Sequence, residues 1–188
     1  MLRIIIVACG LLMAQMASAG VMAEPFVGLA SGSMTGTTTT GGTLTPTEHT
    51  TFGLGGRLGY RWGSFWTGLE ASYYTGSAKA SGSSYTWTDT TMGLLLGYDF
   101  PNKYRFFVGY MPSSDIKQKD DSGTEATFKG SAVKVGIGYF FQPRWTFNVE
   151  LLIHSFSKVA SGSAELAISD VYGSLKDTPL AITFGYMF

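Results

Sequence analysis

Cysteine is almost absent. The single one, Cys9, lies inside an apolar run near the N-terminus, so the rest of the chain can form neither a disulfide nor a thiolate metal site. Charge is scarce as well. Asp, Glu, Lys and Arg make up 14% of the residues, against about a quarter in ordinary soluble domains. Thirteen basic residues cancel thirteen acidic ones, which argues against a nucleic-acid partner. Histidine occurs only as His49 and His154, and neither has a second His or Cys at metal-ligand spacing. Beyond residue 23 no run of 18 apolar residues occurs, so no transmembrane helix can be drawn. For an exported chain this poor in charge, a closed β-barrel in lipid is one of the few forms left, because it satisfies every backbone group there.

Export is written at the N-terminus. Arg3 supplies a positive start and residues 4–13 are an apolar run too short to span a membrane. Ala17-Ser18-Ala19 is a small-x-small cleavage signal, with Val21-Met22-Ala23 as a second. Residues 1–23 therefore read as a signal peptide cleaved after residue 19 or 23, taking Cys9 with it. Residues 24–188 remain, a length that fits one domain.

What the chain has in plenty is glycine, 25 residues, and aromatics, 14%, set in segments that alternate with a period of two. The clearest begins at Trp145, where Trp145, Phe147, Val149, Leu151 and Ile153 alternate with Thr146, Asn148, Glu150, Leu152 and His154. The last runs from Leu180 to Phe188, with Leu180, Ile182, Phe184, Tyr186 and Phe188 on one face. Six more segments start near residues 25, 50, 65, 85, 104 and 126, which predicts eight strands, each with one apolar face. In the first, Val27 and Leu29 face outward on one reading, though the opposite parity is open. The connections after strands two, four and six are short, and those after one, three, five and seven are long. Residues 35–49, which include His49, and residues 157–178 are the longest.

Eight alternating segments, alternating loop lengths and an aromatic-x-aromatic ending on Phe188 resemble small eight-stranded bacterial outer-membrane β-barrels of the OmpA/OmpX and opacity-protein kind. Aromatics near the short turns (Tyr60, Trp62, Phe65, Tyr98, Tyr104, Phe141, Trp145) and a thinner band near the long loops (Tyr73, Tyr85, Trp87, Tyr110, Phe156) match the two girdles of such barrels. A secreted β-sandwich or lipocalin-like barrel is the alternative. The resemblance implies an all-β, single up-and-down transmembrane barrel in the outer membrane of a Gram-negative cell, acting as a monomer. Its short turns and both chain ends would face the periplasm, with long mobile loops outside. Partners implied are outer-membrane lipid and lipopolysaccharide, the barrel-insertion machinery reading Phe184, Tyr186 and Phe188, and a surface ligand bound through the loops. No cofactor and no catalysis are implied. The role is structural or one of surface interaction, such as adhesion or envelope integrity. A small-solute or OmpW-like pore is the alternative, and a lipid A-modifying enzyme the third reading.

Candidate site residues follow from parity. Arg57, Glu70, Asp89, Arg105, Lys134, Glu150 and His154 all fall on the inward face. Reflected across the tight turns, Arg57 lies diagonal to Glu70 and Lys134 diagonal to Glu150. Eight strands leave an interior just wide enough for side chains, so these charges must pair. They form a structural plug, a seam that leaks small ions, or an acid/base site. His154-Ser155 invites a hydrolase reading, but a Ser two residues after the His would share its face, and that residue is Phe156. Gly53-Leu54-Gly55-Gly56 lacks the Lys and Ser/Thr of a phosphate loop.

Overall fold

A computed structural model describes residues 20–162 and 164–188; the calls on residues 1–19 lie outside it. Seven long strands run in order: β1 (Gly20–Thr38), β2 (Thr47–Trp62), β3 (Phe65–Ala80), β4 (Ser83–Asp99), β5 (Tyr104–Asp120), β6 (Glu125–Gln142) and β7 (Trp145–Ser161). A short strand β8 (Ala164–Ala167), a helical turn α1 (Ile168–Val171), β9 (Tyr172–Asp177) and β10 (Leu180–Tyr186) complete the chain. Each long strand pairs antiparallel with the next.

The ring closes through β10. It pairs with β1 from Phe26↔Gly185 to Ser31↔Leu180, and with β7 from Tyr186↔Trp145 to Leu180↔Leu151. Farther along, β9 takes over, pairing Met34 of β1 and His154 of β7 with Asp177. Thus β9 and β10 together are the eighth stave, interrupted at Thr178 and Pro179. Proline has no N–H for a ladder, but its carbonyl still accepts from Leu152 N at 3.0 Å.

Period-two alternation becomes an inside and an outside. Leu94 is 58% exposed while its neighbour Leu95 is 0% exposed. Val27 and Leu29 face out and Phe26 and Ala30 face in, which fixes the parity of the first strand. The outward band of Leu54, Leu69, Leu94, Val108, Ile137 and Ile182 suits lipid and would be a large aggregating surface in water. Aromatic contacts cluster at the end that holds the turns at residues 63–64, 100–103 and 143–144: Phe65 with Tyr98, Tyr104 with Tyr139, and Trp145 with Tyr186. No described helix is long and apolar enough to cross a membrane.

Among the described residues β1 already includes Met22, which is 2% exposed in a cluster with Trp66, Phe107 and Met187; of the two cleavage positions read from the sequence, the one after residue 19 keeps that contact. Two expectations need correction. The loops at the far end are shorter than the composition suggested, because the strands continue past the apolar band and protrude. Residues 39–46, 81–82 and 121–124 are all that join β1 to β2, β3 to β4 and β5 to β6. At residues 81–82 a two-residue turn carries positive φ at both positions (Ser81 48°, Gly82 81°), the geometry that suits the twist of a hairpin. The expected loop at residues 157–178 likewise contains the end of β7, then β8, α1 and β9.

Two outcomes test this arrangement. Leu94→Arg puts a charge on the lipid face and should cost about 2 to 4 kcal/mol, whereas Thr40→Lys in the loop at residues 39–46 should leave the denaturant midpoint unchanged; equal shifts would refute the assigned faces. Cleavage after residue 23 would remove Met22 from its cluster, so mass spectrometry of the mature protein should find Gly20 at the N-terminus.

Candidate functional site

Among the described residues the buried polar side chains are concentrated in the lumen, and the strands deliver them in two tiers. In the inner tier Arg57 (β2) stands directly opposite Glu70 (β3) in the ladder, rather than diagonal to it. Its Nε donates to Glu70 Oε2 at 2.7 Å, Nη1 to Glu24 Oε1 at 3.2 Å and Nη2 to Glu150 Oε1 at 2.5 Å. Lys134 is diagonal to Glu150, since Gly136 is the residue opposite Glu150. Its ammonium donates to Glu150 Oε2 at 2.8 Å and to Glu70. Arg105 Nη1 donates to Glu24 Oε2 at 2.7 Å. Glu24, Glu70 and Glu150 thus balance Arg57, Arg105 and Lys134, and none of the six is more than 2% exposed.

Desolvating six charges is costly, and the tier offsets it by saturating them. Thr146 Oγ1 and Thr183 Oγ1 each donate at 2.7 Å, to Glu24 and Glu150. The Arg57 guanidinium lies 4.7 Å from the centroids of both Phe26 and Phe107, and Arg105 lies 4.9 Å from Trp66, close enough for cation–π attraction. Trp66 lies flat over Gly97, where any Cβ would collide with its ring. Asp99, expected in a turn, ends β4 and accepts from Trp66 Nε1, Arg105 Nε and Arg61.

The outer tier is different. His49, expected in a loop, lies on β2 and is buried; its Nε2 is 2.9 Å from Asp177 Oδ1, and its ring stacks on Trp87 at 4.2 Å. His154 Nδ1 is 2.7 Å from Ser114 Oγ, and its Nε2 is 3.6 Å from Asp89 Oδ2, too far for a hydrogen bond. Ser114 reaches the lumen through a bulge: the β5 register shifts between Met111 and Ser114, so parity moves by one. Ser155 faces outward and Ser157 is also exposed, away from His154. Above this tier Met34, Ala78, Trp87, Ile116, Phe128, Ile168 and Leu175 form an apolar cap.

All seven candidates from the sequence therefore lie in the lumen, five of them in one ion network and Asp89 and His154 in the outer tier. Glu24, Asp99, Ser114 and Asp177 were missed. Glu24 shares the parity of Phe26, which the sequence left open and the structure turns inward; Ser114 and Asp177 depend on a bulge and on a strand that composition had disguised as loop. Phe184 lies on the lipid face of β10 and Tyr186 ends it, while Phe188 N donates to Ala23 O at 2.9 Å. Among the described residues no three His, Cys, Asp or Glu side chains are placed to hold a metal ion.

A ring of eight antiparallel strands with an apolar outer band and a charged, filled interior is the architecture of a membrane-spanning barrel. The sequence matches the family described as outer membrane protein beta-barrel domain over residues 5–188, and the chain belongs to it. Two solved structures share the fold. Neisserial surface protein A is 15% identical, with a TM-score of 0.55 over 91% of this chain and 99% of its own. Ail, the attachment invasion locus protein of Yersinia pestis, crystallised with the heparin analogue sucrose octasulfate, is 10% identical, with a TM-score of 0.56 over 89% of this chain and 99% of its own. No curated protein matches the sequence. The protein is a barrel of the bacterial outer membrane.

Truncating the inner tier tests its closure. Glu150→Ala leaves Lys134 and Arg57 each short of a partner, and should lower the unfolding free energy by about 3 to 5 kcal/mol. A loss below about 1 kcal/mol in denaturant unfolding would mean that water enters the lumen and screens the charges.

Proposed function

We propose that this protein is a non-conducting outer-membrane barrel that acts through the sheet it raises above the membrane, in envelope integrity or in contact with a surface ligand. The observation that carries the reading is the inner tier, whose six ionised side chains bind one another across the lumen at 0–2% exposure. An ion crossing this tier would have to break a buried pair, at several kcal/mol. The apolar residues on either side of it raise the barrier further.

The outer rim suits contact more than transport. Strands that protrude as paired sheet present a continuous surface, and three of its lysines stand beside carboxylates. Lys129 and Lys158 donate to Glu165 at 2.7 and 2.8 Å, holding its carboxyl well below the usual range, and Lys117 stands 3.5 Å from Glu125. Ail, of the same fold, forms a complex with the heparin analogue sucrose octasulfate, a precedent for ligand binding by a small barrel. The compensated lysines here favour a neutral or mixed-charge partner, and the same rim lies at the level of lipopolysaccharide. We assign the protein no catalysis: Ser114, the serine beside His154, is 0% exposed beneath the apolar cap.

The decisive measurement is single-channel recording. Purified protein in planar bilayers should give no unitary currents. Reproducible, charge-selective conductance from the wild type would replace this reading with a small-solute pore.

A further inference from the structure

The outer tier lies at and beyond the outer edge of the lipid band. The outward neighbours of its residues are Ile153 and Ser155 beside His154, Glu48 and Thr50 beside His49, Thr88 and Thr90 beside Asp89, and Lys176 and Thr178 beside Asp177. Here, among the described residues, most of the buried side-chain polar atoms without a hydrogen-bond partner gather: His49 Nδ1, Tyr74 Oη, Trp87 Nε1, Asp89 Oδ1, His154 Nε2 and Asp177 Oδ2. The inner tier leaves only one of its own side-chain atoms so, Arg105 Nη2. Such a concentration of unmet polar groups calls for a cause.

Charge supplies one. Asp89 and Asp177 are 7% and 0% exposed, and two ionised carboxylates there need two positive charges. The cation that acts on both Asp89 and His154 is Lys134, and its ammonium is already committed to Glu70 and Glu150. Other charged or titratable groups facing the tier are Tyr74 from β3 and Glu150 from β7, with Asp115 on the outer side of the β5 bulge. None adds positive charge. The inward residues of β1 and β10 at this level, Ala30, Gly32, Met34 and Ala181, carry no charge. A metal does not fit, since no three possible ligands are placed for one.

We propose that the outer tier is a two-proton site, one proton held by the His49–Asp177 pair and one by the Asp89–His154–Ser114 set, which locks the protruding half of the barrel. One proton joins Asp177 to His49 and the other sits on Asp89 or on His154 beside it, and together they bring the tier to neutrality. Losing one leaves an uncompensated carboxylate beneath the apolar cap formed by Trp87, Ile116 and Leu175, so removal of either proton should destabilise the fold. In the unfolded chain histidine titrates near 6.5. Stability from the site is therefore complete between about pH 4.5 and 6.5, where the unfolded chain carries the same two protons on its histidines, and declines above it, by up to tenfold in the folding constant per pH unit for each proton. The consequence is a surface sheet that tightens in acid and loosens in alkali.

The experiment is equilibrium unfolding of the full-length mature protein in phospholipid vesicles across pH 6 to 9, beside Asp89→Asn/Asp177→Asn. Wild type should lose about 10- to 100-fold in its folding constant per pH unit over the steepest part of that range, and the double variant should be nearly flat. A flat wild type, or an equal slope in the double variant, overturns the proposal. Because the variant could fail to fold, the wild type carries a second readout. Both histidines lie in the tier, so a sample labelled at histidine Cε1 gives two NMR signals, both from this site. Neither should titrate near pH 6.5; ordinary midpoints for both would overturn the proposal.

Discussion

Closure of the ring is the constraint from which the rest follows. In hydrocarbon an unpaired backbone amide costs several kcal/mol, so a sheet crossing lipid must have no edge. Pairing of β10 with both β1 and β7 removes that edge. It also divides every strand into two faces, and the alternation of Leu94 with Leu95 or Val149 with Glu150 is the record of that division. Where the eighth stave breaks at Pro179, its carbonyl is still taken by Leu152, so the wall remains bonded at its weakest point.

A closed ring of eight has little room, and what fills it sets the properties of the protein. The inner tier is electrically neutral and nearly saturated, with two threonine hydroxyls and aromatic faces completing what the ion pairs leave. It behaves as a core made of charge, and is rigid for the same reason as an apolar core: each group has a place only if the others keep theirs. The outer tier has the same ingredients in poorer supply. Two carboxylates meet two imidazoles rather than guanidinium and ammonium groups, and the ladder spreads them too far apart for every atom to find a partner. On the proposed reading, the two tiers divide the labour between closure and response to protons.

Similarity at 10–15% identity with TM-scores near 0.55 fits this physics. Lipid asks only that outward residues be apolar and that aromatics stand near the interface. Many sequences satisfy that, so a ring of this kind persists at low identity. The family places the protein in the outer membrane, and the arrangement of its own lumenal charges bears on conduction.

The sequence by itself determined the number of staves, the inside and outside of those after the first, and the inward direction of Arg57, Glu70, Asp89, Arg105, Lys134, Glu150 and His154. It could do so because period-two alternation and tight turns are local properties, readable a few residues at a time. Tertiary structure alone decided how the charges pair, since Arg57 meets Glu150 across 93 positions of sequence and Glu24 meets Arg105 across 81. It also decided the length of the staves: threonine- and glycine-rich stretches read as loops, yet pair as strands once the neighbouring stave supplies hydrogen-bond partners. The bulge before Ser114 and the strand that carries Asp177 arise the same way. They depend on register between distant segments, and register exists only when the ring has closed.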